Sequence, residues 1–467
     1  MKNKIYFWIT GLSILYSLQS CEDFVDIDSP NFQMVTEDVY SKEKTTIAAI
    51  KGIYNQLYVA NFSTYGVSLL GAMSGDLLIA RTDTFLPFDQ HELFSINTPD
   101  SSFNQNIWSS AYNIIYLANR ALEGLENANI NDDLRNDLRG QVLFIRAFTY
   151  FYLTNFYGEV PLLLTSDYNT NATAPRNPTE EVWLHIESDL DEAALLLNKQ
   201  TEYKDGERYY VNRSVVEAFR ARVYLYREDW SNAEIFSTKV IDRTGLYGLE
   251  VNPENVFRAN SKEAIWQITR DGVNNFVPEE ATYFTLHVNG TGTTITGNTA
   301  LSDKFVSSLD SLDLRRLWIG EANTETEHAY FTEKYWFDND GEVLQYSTTM
   351  RLAEQYLIRA EARAMQNKLV EAITDLDKIR KRAGIGLIAE SNPGISKQAL
   401  LDSIMTERKR ELFAEWGHRW LDLKRTGKVN TVFGNNPSWQ ETDALYPIPG
   451  EEGLKNPFLT QNDGYGN

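Results

Sequence analysis

The chain has 467 residues, more than one small hydrophobic core usually organises, so we expect one large body with insertions or two lobes. Apolar residues make up 42% of the sequence and charged residues 23%, proportions that exclude a disordered chain. The net charge of −21 repels phosphate backbones at long range and argues against nucleic-acid binding.

The first predicted element is a secretory signal peptide over residues 1–20. Two early lysines precede a mostly apolar run over residues 5–18, which is too short for a comfortable transmembrane span. Cys21, the only cysteine in the sequence, follows directly. The stretch Leu18-Gln-Ser-Cys21 resembles the lipobox of bacterial lipoproteins, in which the signal is cut before the cysteine and the thiol is acylated. We therefore predict that Cys21 is lipidated; the alternative is a plain signal peptide with a chance cysteine.

Residues 21–36 are predicted to form an acylated, extended tether. The acidic pair Glu22-Asp23 resembles the surface-export signal of lipoproteins in the Bacteroidetes type of outer membrane. Pro30 and three aspartates within the same stretch indicate an extended segment. Several acyl chains hold a protein stably on a bilayer, at about 0.8 kcal/mol per buried CH₂. The sequence therefore predicts a surface-exposed, lipid-anchored body over residues 37–467 at the cell outer membrane.

Helical periodicity predicts a scaffold in two regions of the body, residues 104–243 and 350–416. One helix face in the first region carries seven residues at helical spacing: Leu134, Leu138, Val142, Ile145, Thr149, Tyr152 and Phe156. Pro178 is predicted to open a further helix. The same period continues in residues 214–228, 230–242, 350–366, 368–383 and 397–416. Gly384, which follows three basic residues and Ala383, is predicted to end its helix.

Two of these helix pairs repeat one pattern. Ala221 and Ala233 are twelve residues apart across a predicted turn, and so are Ala360 and Ala372. A small residue at each of these positions lets the two helices of a pair approach closely, as in tetratricopeptide-type hairpins. We therefore expect divergent helix hairpins of this type.

Two long inserts interrupt the helical scaffold, at about residues 58–103 and 245–348. Gly, Asn, Thr and Asp are dense in the second insert, and Gly and Pro punctuate the first. Short β-like runs occur at residues 264–269 and 330–337. Long loops on a rigid scaffold are common places for binding, so the inserts are where we expect the site.

Five sequence blocks stand out, spread in order along the chain. They begin with Trp108-Ser-Ser-Ala-Tyr112, which leads to Asn119. The others lie at residues 138–162, 351–384, 407–425 and 446–465. In this order the blocks resemble those of the SusD/RagB-like family of nutrient-binding lipoproteins. The resemblance implies a mainly α fold, with a SusD-like scaffold of divergent tetratricopeptide-type hairpins, long irregular inserts and a few short strands.

The same resemblance implies a role. Family members sit over a TonB-dependent, SusC-like outer-membrane transporter and hand it oligo- or polysaccharide. The expected function is therefore glycan capture at the cell surface for import. Three alternatives stay open: peptide capture by a RagB-like member of a peptide importer, a non-catalytic protein-interaction scaffold, and a surface glycoside hydrolase.

One block is unusually rich in opposite charges. Its charged residues are Glu407, Arg408, Arg410, Glu411, Arg419, Asp422, Lys424 and Arg425. They could form a catalytic or anion-binding site. Paired charges on helices are more commonly structural, so we predict an ion-pair network that fastens the C-terminal segment to the body.

No catalytic constellation is visible in the sequence. None of the five histidines belongs to a His-Glu-x-x-His motif, and neither a Gly-x-Ser-x-Gly elbow nor a Walker-type phosphate loop occurs. Counting carboxylates cannot exclude a glycosidase pair. We expect a binding protein and not an enzyme.

Sugar binding calls for flat aromatic faces with amide, carboxylate or guanidinium groups around them. By resemblance, the family's ligand site is built from loops equivalent to the two inserts, although these loops do not match the family residue by residue. For each single aromatic, packing in the protein is the competing interpretation. The ligand-binding candidates are Asp76, Arg81, Phe85, Phe88, Phe94, Asn97, Asn275, Phe276, Tyr283, Phe284 and Trp336.

The stretch Asp338-Asn-Asp340-Gly-Glu342 resembles the start of a calcium loop. Aromatic and apolar residues on both sides favour a β-hairpin turn instead. A structural Ca²⁺ near Asp338 and Asp340 is kept as a weaker hypothesis, and no other cofactor or metal is expected.

Overall fold

Helices form both ends of the body, as the periodicity predicts. The computed structural model describes residues 39–83, 85, 102–199, 201–270, 277–336 and 344–466. The helices of the N-terminal part are α1 (Glu43–Val59), α2 (Val67–Met73), α3 (Ser102–Glu126), α4 (Asp132–Tyr157), α5 (Tyr168–Asn171), α6 (Thr179–Leu196), α7 (Arg213–Tyr226) and α8 (Trp230–Ile241). The later helices are α9 (Glu279–Phe284), α10 (Asp303–Ser307), α11 (Leu352–Met365), α12 (Leu369–Arg382), α13 (Ile388–Ser391), α14 (Lys397–Glu411), α15 (His418–Arg425), α16 (Val429–Phe433) and α17 (Gly450–Lys455). Within the described ranges, no helix combines the length and apolar character needed to cross a membrane.

Helix α4 lies at the centre of the N-terminal half, where it packs against α3 and α6. Asn131 caps its first turn by accepting a hydrogen bond from the Leu134 backbone N–H at 2.9 Å. The predicted apolar face is buried from Leu138 onward. The opposite face is buried too, at Leu143, Ala147 and Phe151. A helix covered on every side is a core element, a placement that one-face periodicity does not distinguish.

The predicted hairpins are confirmed. Ala221 of α7 and Ala233 of α8 are fully buried in one apolar cluster, and Ala360 of α11 and Ala372 of α12 are buried in another. Because these side chains are only methyl groups, the paired helices can pack closely just after each turn. Helix α8 also packs against α11, so the second hairpin stacks on the first.

The inserts carry short strands that lie on this scaffold. The strands are β1 (Leu78–Ala80), β2 (Ala264–Ile268), β3 (His287–Val288), β4 (Ile295–Thr296), β5 (Thr299–Leu301), β6 (Ile319–Asn323), β7 (His328–Thr332) and β8 (Ser347–Arg351). Strand β1 joins β5, β7 and β6 in the order β1-β5-β7-β6, while β2 pairs with β8 and β3 with β4, all antiparallel. The first predicted β-like run matches β2. The second run, predicted at residues 330–337, is displaced: the strand there, β7, begins at His328 and ends at Thr332.

The first insert begins with helix, and the expectation of a wholly irregular segment at residues 58–103 is wrong there. A π-helical turn over Phe62–Gly66 leads directly into α2. Gly71, one of the glycines of this insert, lies inside α2, where the backbone of Gly417 packs against it. A Cβ at position 71 would lie 2.2 Å from the Cα of Gly417. Glycine here permits a close approach of two backbone segments.

The charged block forms the predicted structural network, centred on Glu411. Arg351 Nη1 lies 2.5 Å from Glu411 Oε1, Arg315 Nη1 lies 3.4 Å from Oε2, and Arg382 also pairs with this carboxylate. Burial raises the pKa of Glu411, but the charges of Arg382, Arg351 and Arg315 outweigh that effect and hold it well below its usual range. A second branch joins Arg408 to Asp422 at 2.7 Å. These pairs fasten α14 and α15 to the strands and helices before them.

Candidate functional site

A cleft of about 930 Å³ opens on the second insert, and we name it the tryptophan cleft. Its lining residues are Pro253, Glu254, Phe257, Arg258, Thr285, Leu286, His287, Leu317, Trp318, Phe331, Glu333, Lys334 and Trp336. They come from four separate stretches of chain. The volume is in the range of clefts that hold small-molecule ligands.

Two 3₁₀ turns and the end of β7 hold the cleft in shape. The turns cover Pro253–Asn255 and Leu314–Trp318. Trp318 donates a hydrogen bond from Nε1 to the carbonyl oxygen of Pro253 at 2.9 Å, which ties one turn to the other. The ring of Phe257 packs edge-on against Trp318, with 5.5 Å between the ring centroids. The walls are therefore braced before any ligand enters.

The floor of the cleft contains a buried cation, Lys334. Its Nζ donates hydrogen bonds to the carbonyl oxygens of Glu411 at 3.0 Å and Phe413 at 2.7 Å, and to Glu415 Oε1 at 2.5 Å. Burial lowers the pKa of Lys334 to about 7, although the charge of Glu415 raises it in part. With three acceptors for its three protons, this ammonium supports the floor and has no proton left for a ligand.

The rim carries the groups that a ligand would meet. Trp336 is partly exposed, and His287, Glu254, Arg258 and Glu333 are exposed. An aromatic ring beside carboxylate and guanidinium groups can pack against an apolar ligand face and hydrogen-bond to polar groups at its edge. This combination matches the pattern that the sequence analysis required of a sugar site.

Two predicted polar candidates of the first insert hold the protein together. Asp76 Oδ1 lies 2.8 Å from Arg419 Nε, and Oδ2 lies 2.9 Å from Lys409 Nζ. Burial raises the pKa of Asp76, but these two cations bring it below its usual value. Arg81 pairs with Glu327 at 2.6 Å and donates from Nη2 to the carbonyl oxygen of Ile295 at 3.1 Å.

The predicted aromatics of the two inserts meet in one packed group. The rings of Phe85 and Tyr283 lie 6.3 Å apart, and Tyr283 stacks on Tyr65 with 3.9 Å between centroids. Phe85 and Phe284 are each 3% exposed, so both are core residues and offer no face to a ligand in this conformation. Tyr283 is partly exposed. The two inserts therefore contact each other, and at these residues they do so by packing of aromatic rings.

Several candidates lie outside the described residues. They are Cys21, Phe88, Phe94, Asn97, Asn275, Phe276, Asp338 and Asp340. Their predicted roles stay predictions. Over the described ranges, no cluster of three or more His, Asp or Glu side chains could hold a metal ion. The calcium hypothesis concerns the residues beyond Trp336 and stays open.

Sequence reasoning found Trp336 but missed most of the cleft. Glu254 and Arg258 were not candidates, because neither belongs to one of the aromatic clusters of the sequence. Only the fold brings them within one cleft. The aromatic run that begins at Tyr335 was the available signal, and its Trp336 lies in one wall of this cleft.

Comparison with known proteins places these features in a family. Residues 23–225 match the family described as "Starch-binding associating with outer membrane", and residues 320–465 match the SusD family. The chain is 27% identical to SusD-like protein P2 of Formosa agariphila, over 98% of this chain and 99% of that protein. It is 23% identical to starch-binding protein SusD of Bacteroides thetaiotaomicron, over 70% and 72% of the two chains.

A solved structure shows the same fold. Surface glycan-binding protein A from Bacteroides uniformis superposes with a TM-score of 0.77 at 20% identity, over 91% of this chain and all of that one. The helical scaffold, the ordered sequence blocks and these matches agree from one end of the body to the other. The chain belongs to the SusD/RagB-like family.

Proposed function

We propose that this protein binds oligo- or polysaccharide at the cell surface and delivers it to a TonB-dependent, SusC-like outer-membrane importer. The observation that carries the proposal is the tryptophan cleft, where the partly exposed ring of Trp336 lies among exposed acidic and basic side chains. A sugar ring has an apolar C–H face and a rim of hydroxyl groups, which suits this arrangement. Two relatives carry names that specify starch and glycan binding, in support of the same ligand class.

The first test is a glycan array probed with the purified protein, beside an array of peptides. Binding to one class of neutral glycan, weakened by Trp336→Ala, is the expected result. Binding to peptides and to no glycan would replace the proposal with peptide capture. This comparison also separates a ligand carrier from a pure interaction scaffold, which would bind neither array.

We propose further that binding occurs without catalysis. Support comes from the family, in which the relative SusD is named a starch-binding protein. Glu254 and Glu333 both line the cleft, so the test is direct. The glycan that binds should stay intact after long incubation, with no new reducing ends. Release of reducing sugar that Glu254→Gln or Glu333→Gln abolishes would make the protein a hydrolase.

We also propose that Cys21 anchors the body to the outer membrane by its acyl chains. The family description "associating with outer membrane" supports the location. Cys21→Ala should leave a folded protein that is no longer retained in the membrane fraction, and protease added to intact cells should digest the anchored wild type. Unchanged membrane retention of the variant would refute lipid anchoring. Co-purification of a TonB-dependent transporter with the wild type in mild detergent tests the partner.

A further inference from the structure

A second cleft, of about 340 Å³, lies on the other side of the loop at residues 257–260, and we name it the tyrosine cleft. Helix α1, the start of α4 and the segment before α7 form it. Its lining residues are Ile47, Ile50, Lys51, Leu134, Asp137, Leu138, Gln141, Glu202, Tyr203, Lys204, Asp205, Glu207, Tyr209, Tyr210, Val211 and Asn212.

Aromatic rings form one wall of the tyrosine cleft. Tyr209 and Tyr210 are partly exposed, with ring centroids 4.6 Å apart. Tyr210 is braced edge-on by the buried Tyr54 at 5.1 Å. The hydroxyl of Tyr54 in turn donates to Gln141 Oε1 at 2.6 Å. Rigid, braced aromatic faces bind flat apolar surfaces with little loss of side-chain entropy.

The cleft is also lined by an acid, Asp137, that has no close ion pair. Gln141 Nε2 donates to Asp137 Oδ2 at 3.0 Å. Unlike the buried acids around Arg351, Asp137 forms no close ion pair with a described Lys or Arg, and the charge of Lys204, in the same cleft, acts on it only at longer range. A partly buried carboxylate in a cleft, with hydrogen-bonding capacity left on its oxygens, suits a ligand that donates hydrogen bonds.

The two clefts are neighbours, joined by a short chain of contacts. Arg258 lines the tryptophan cleft, and two residues later Asn260 donates from Nδ2 to Glu207 Oε2, in the tyrosine cleft, at 2.9 Å. The ring of Tyr346 lies 6.3 Å from that of Tyr209. The residue before Tyr346, Gln345, accepts a hydrogen bond from the Trp336 backbone N–H at 3.2 Å. Gln345 and Tyr346 thus connect Trp336 of the tryptophan cleft with Tyr209 of the tyrosine cleft.

From this adjacency we propose that the tyrosine cleft is a second subsite for the same glycan, so that the protein selects long chains over short ones. The proposal rests on the proposed function, because it extends the ligand of the tryptophan cleft. A chain that occupies both clefts pays the entropy of association once, which raises its affinity by a factor of about 10²–10⁴ over one subsite. Hydroxyl groups of a sugar would donate to Asp137 while its ring lies on Tyr210.

The test is titration calorimetry with a size series of one glycan, from the disaccharide to the polymer. The first series is maltodextrins, and the second is the glycan that the array identifies. Affinity should rise at least about tenfold with chain length in the wild type. Asp137→Asn, which keeps the shape and can still accept from Gln141, and Tyr210→Ala should both remove most of that rise. Neither should change the affinity for the disaccharide. Tyr168→Ala, at a tyrosine that is 80% exposed and outside both clefts, is the matched control.

The outcomes are distinguishable. Affinity that does not depend on chain length, or a dependence that both variants retain, overturns the second subsite and leaves the proposed function standing. Binding of a lysine peptide that Asp137→Asn abolishes, without any effect on glycan, also overturns it in favour of a cationic ligand. If the wild type binds no glycan of any length, the proposed function fails and this inference fails with it.

Discussion

Arg351 is the cation on which most of the buried network depends, and replacing it tests how the C-terminal segment is held. Its side chain is 1% exposed, and it pairs with Glu263 at 2.8 Å, Glu411 at 2.5 Å and Glu415 at 2.8 Å. Arg351→Met removes the charge and keeps much of the side-chain volume. The variant leaves three buried acids with one cation fewer.

The expected loss can be worked out from these contacts. Removing one partner of a buried pair costs about 3–5 kcal/mol, because an uncompensated charge stays in a poorly solvated place. Each acid keeps another cation: Arg382 stays beside Glu263 and Glu411, and Lys334 stays beside Glu415. The free energy of unfolding should therefore fall by about 3–5 kcal/mol and not by three times that value.

The measurement is the free energy of unfolding in urea, followed by far-ultraviolet circular dichroism. Arg139→Met is the matched control, because Arg139 pairs with Glu192 at 2.7 Å in a partly exposed position. Exposed pairs contribute about 0–1 kcal/mol, so this control should lose no more than that. Equal losses in the two variants would refute the view that the network acts through burial.

Two further variants test packing and pH dependence. Gly71→Ala should lower the free energy of unfolding by about 1–3 kcal/mol or more, because its Cβ would meet the Gly417 backbone at 2.2 Å. Gly52→Ala, in open space on α1, should be neutral or gain up to about 1 kcal/mol. A thermal-unfolding comparison in which both variants behave alike would contradict this packing. Burial raises the pKa of Glu280 to about 8. Between pH 4.5 and 8 the Glu280 carboxyl is therefore ionised in the unfolded chain but protonated in the folded protein. Wild-type stability should fall relative to that of Glu280→Gln as the pH rises through this window. The difference should grow by a few kcal/mol and level off above about pH 8, and a constant difference across the window would show that Glu280 is not held neutral.

The helical scaffold could be predicted because its signal is local. A period of 3.6 residues, Pro178 at a helix start and Gly384 at a helix end each depend on a few neighbouring residues. The hairpin alanines also follow from spacing alone. What spacing could not show is that α4 is covered on both faces, because its second face is buried by residues far away in the sequence.

The site was harder to predict for the same reason. Phe85 and Phe284 occur in glycine-rich and polar surroundings that suggest exposure, yet Phe85 packs against Tyr283 of the other insert and Phe284 is buried in the main core. Asp76 was selected as a polar group near aromatics, while its true partner, Arg419, stands more than three hundred residues later. Trp336, which belongs to a dense aromatic run, is the candidate that lines the tryptophan cleft.

The central claim is that a glycan binds at the tryptophan cleft. Titration calorimetry of the array-identified glycan against wild type, Trp336→Ala and Trp230→Ala tests it most directly, because Trp230 is also a partly exposed tryptophan but lies on α8 and outside both clefts. Loss of a central aromatic contact costs about 2 kcal/mol or more, so Trp336→Ala should bind at least about thirtyfold more weakly while Trp230→Ala binds like the wild type. Equal affinities for all three proteins would contradict the assignment of this cleft.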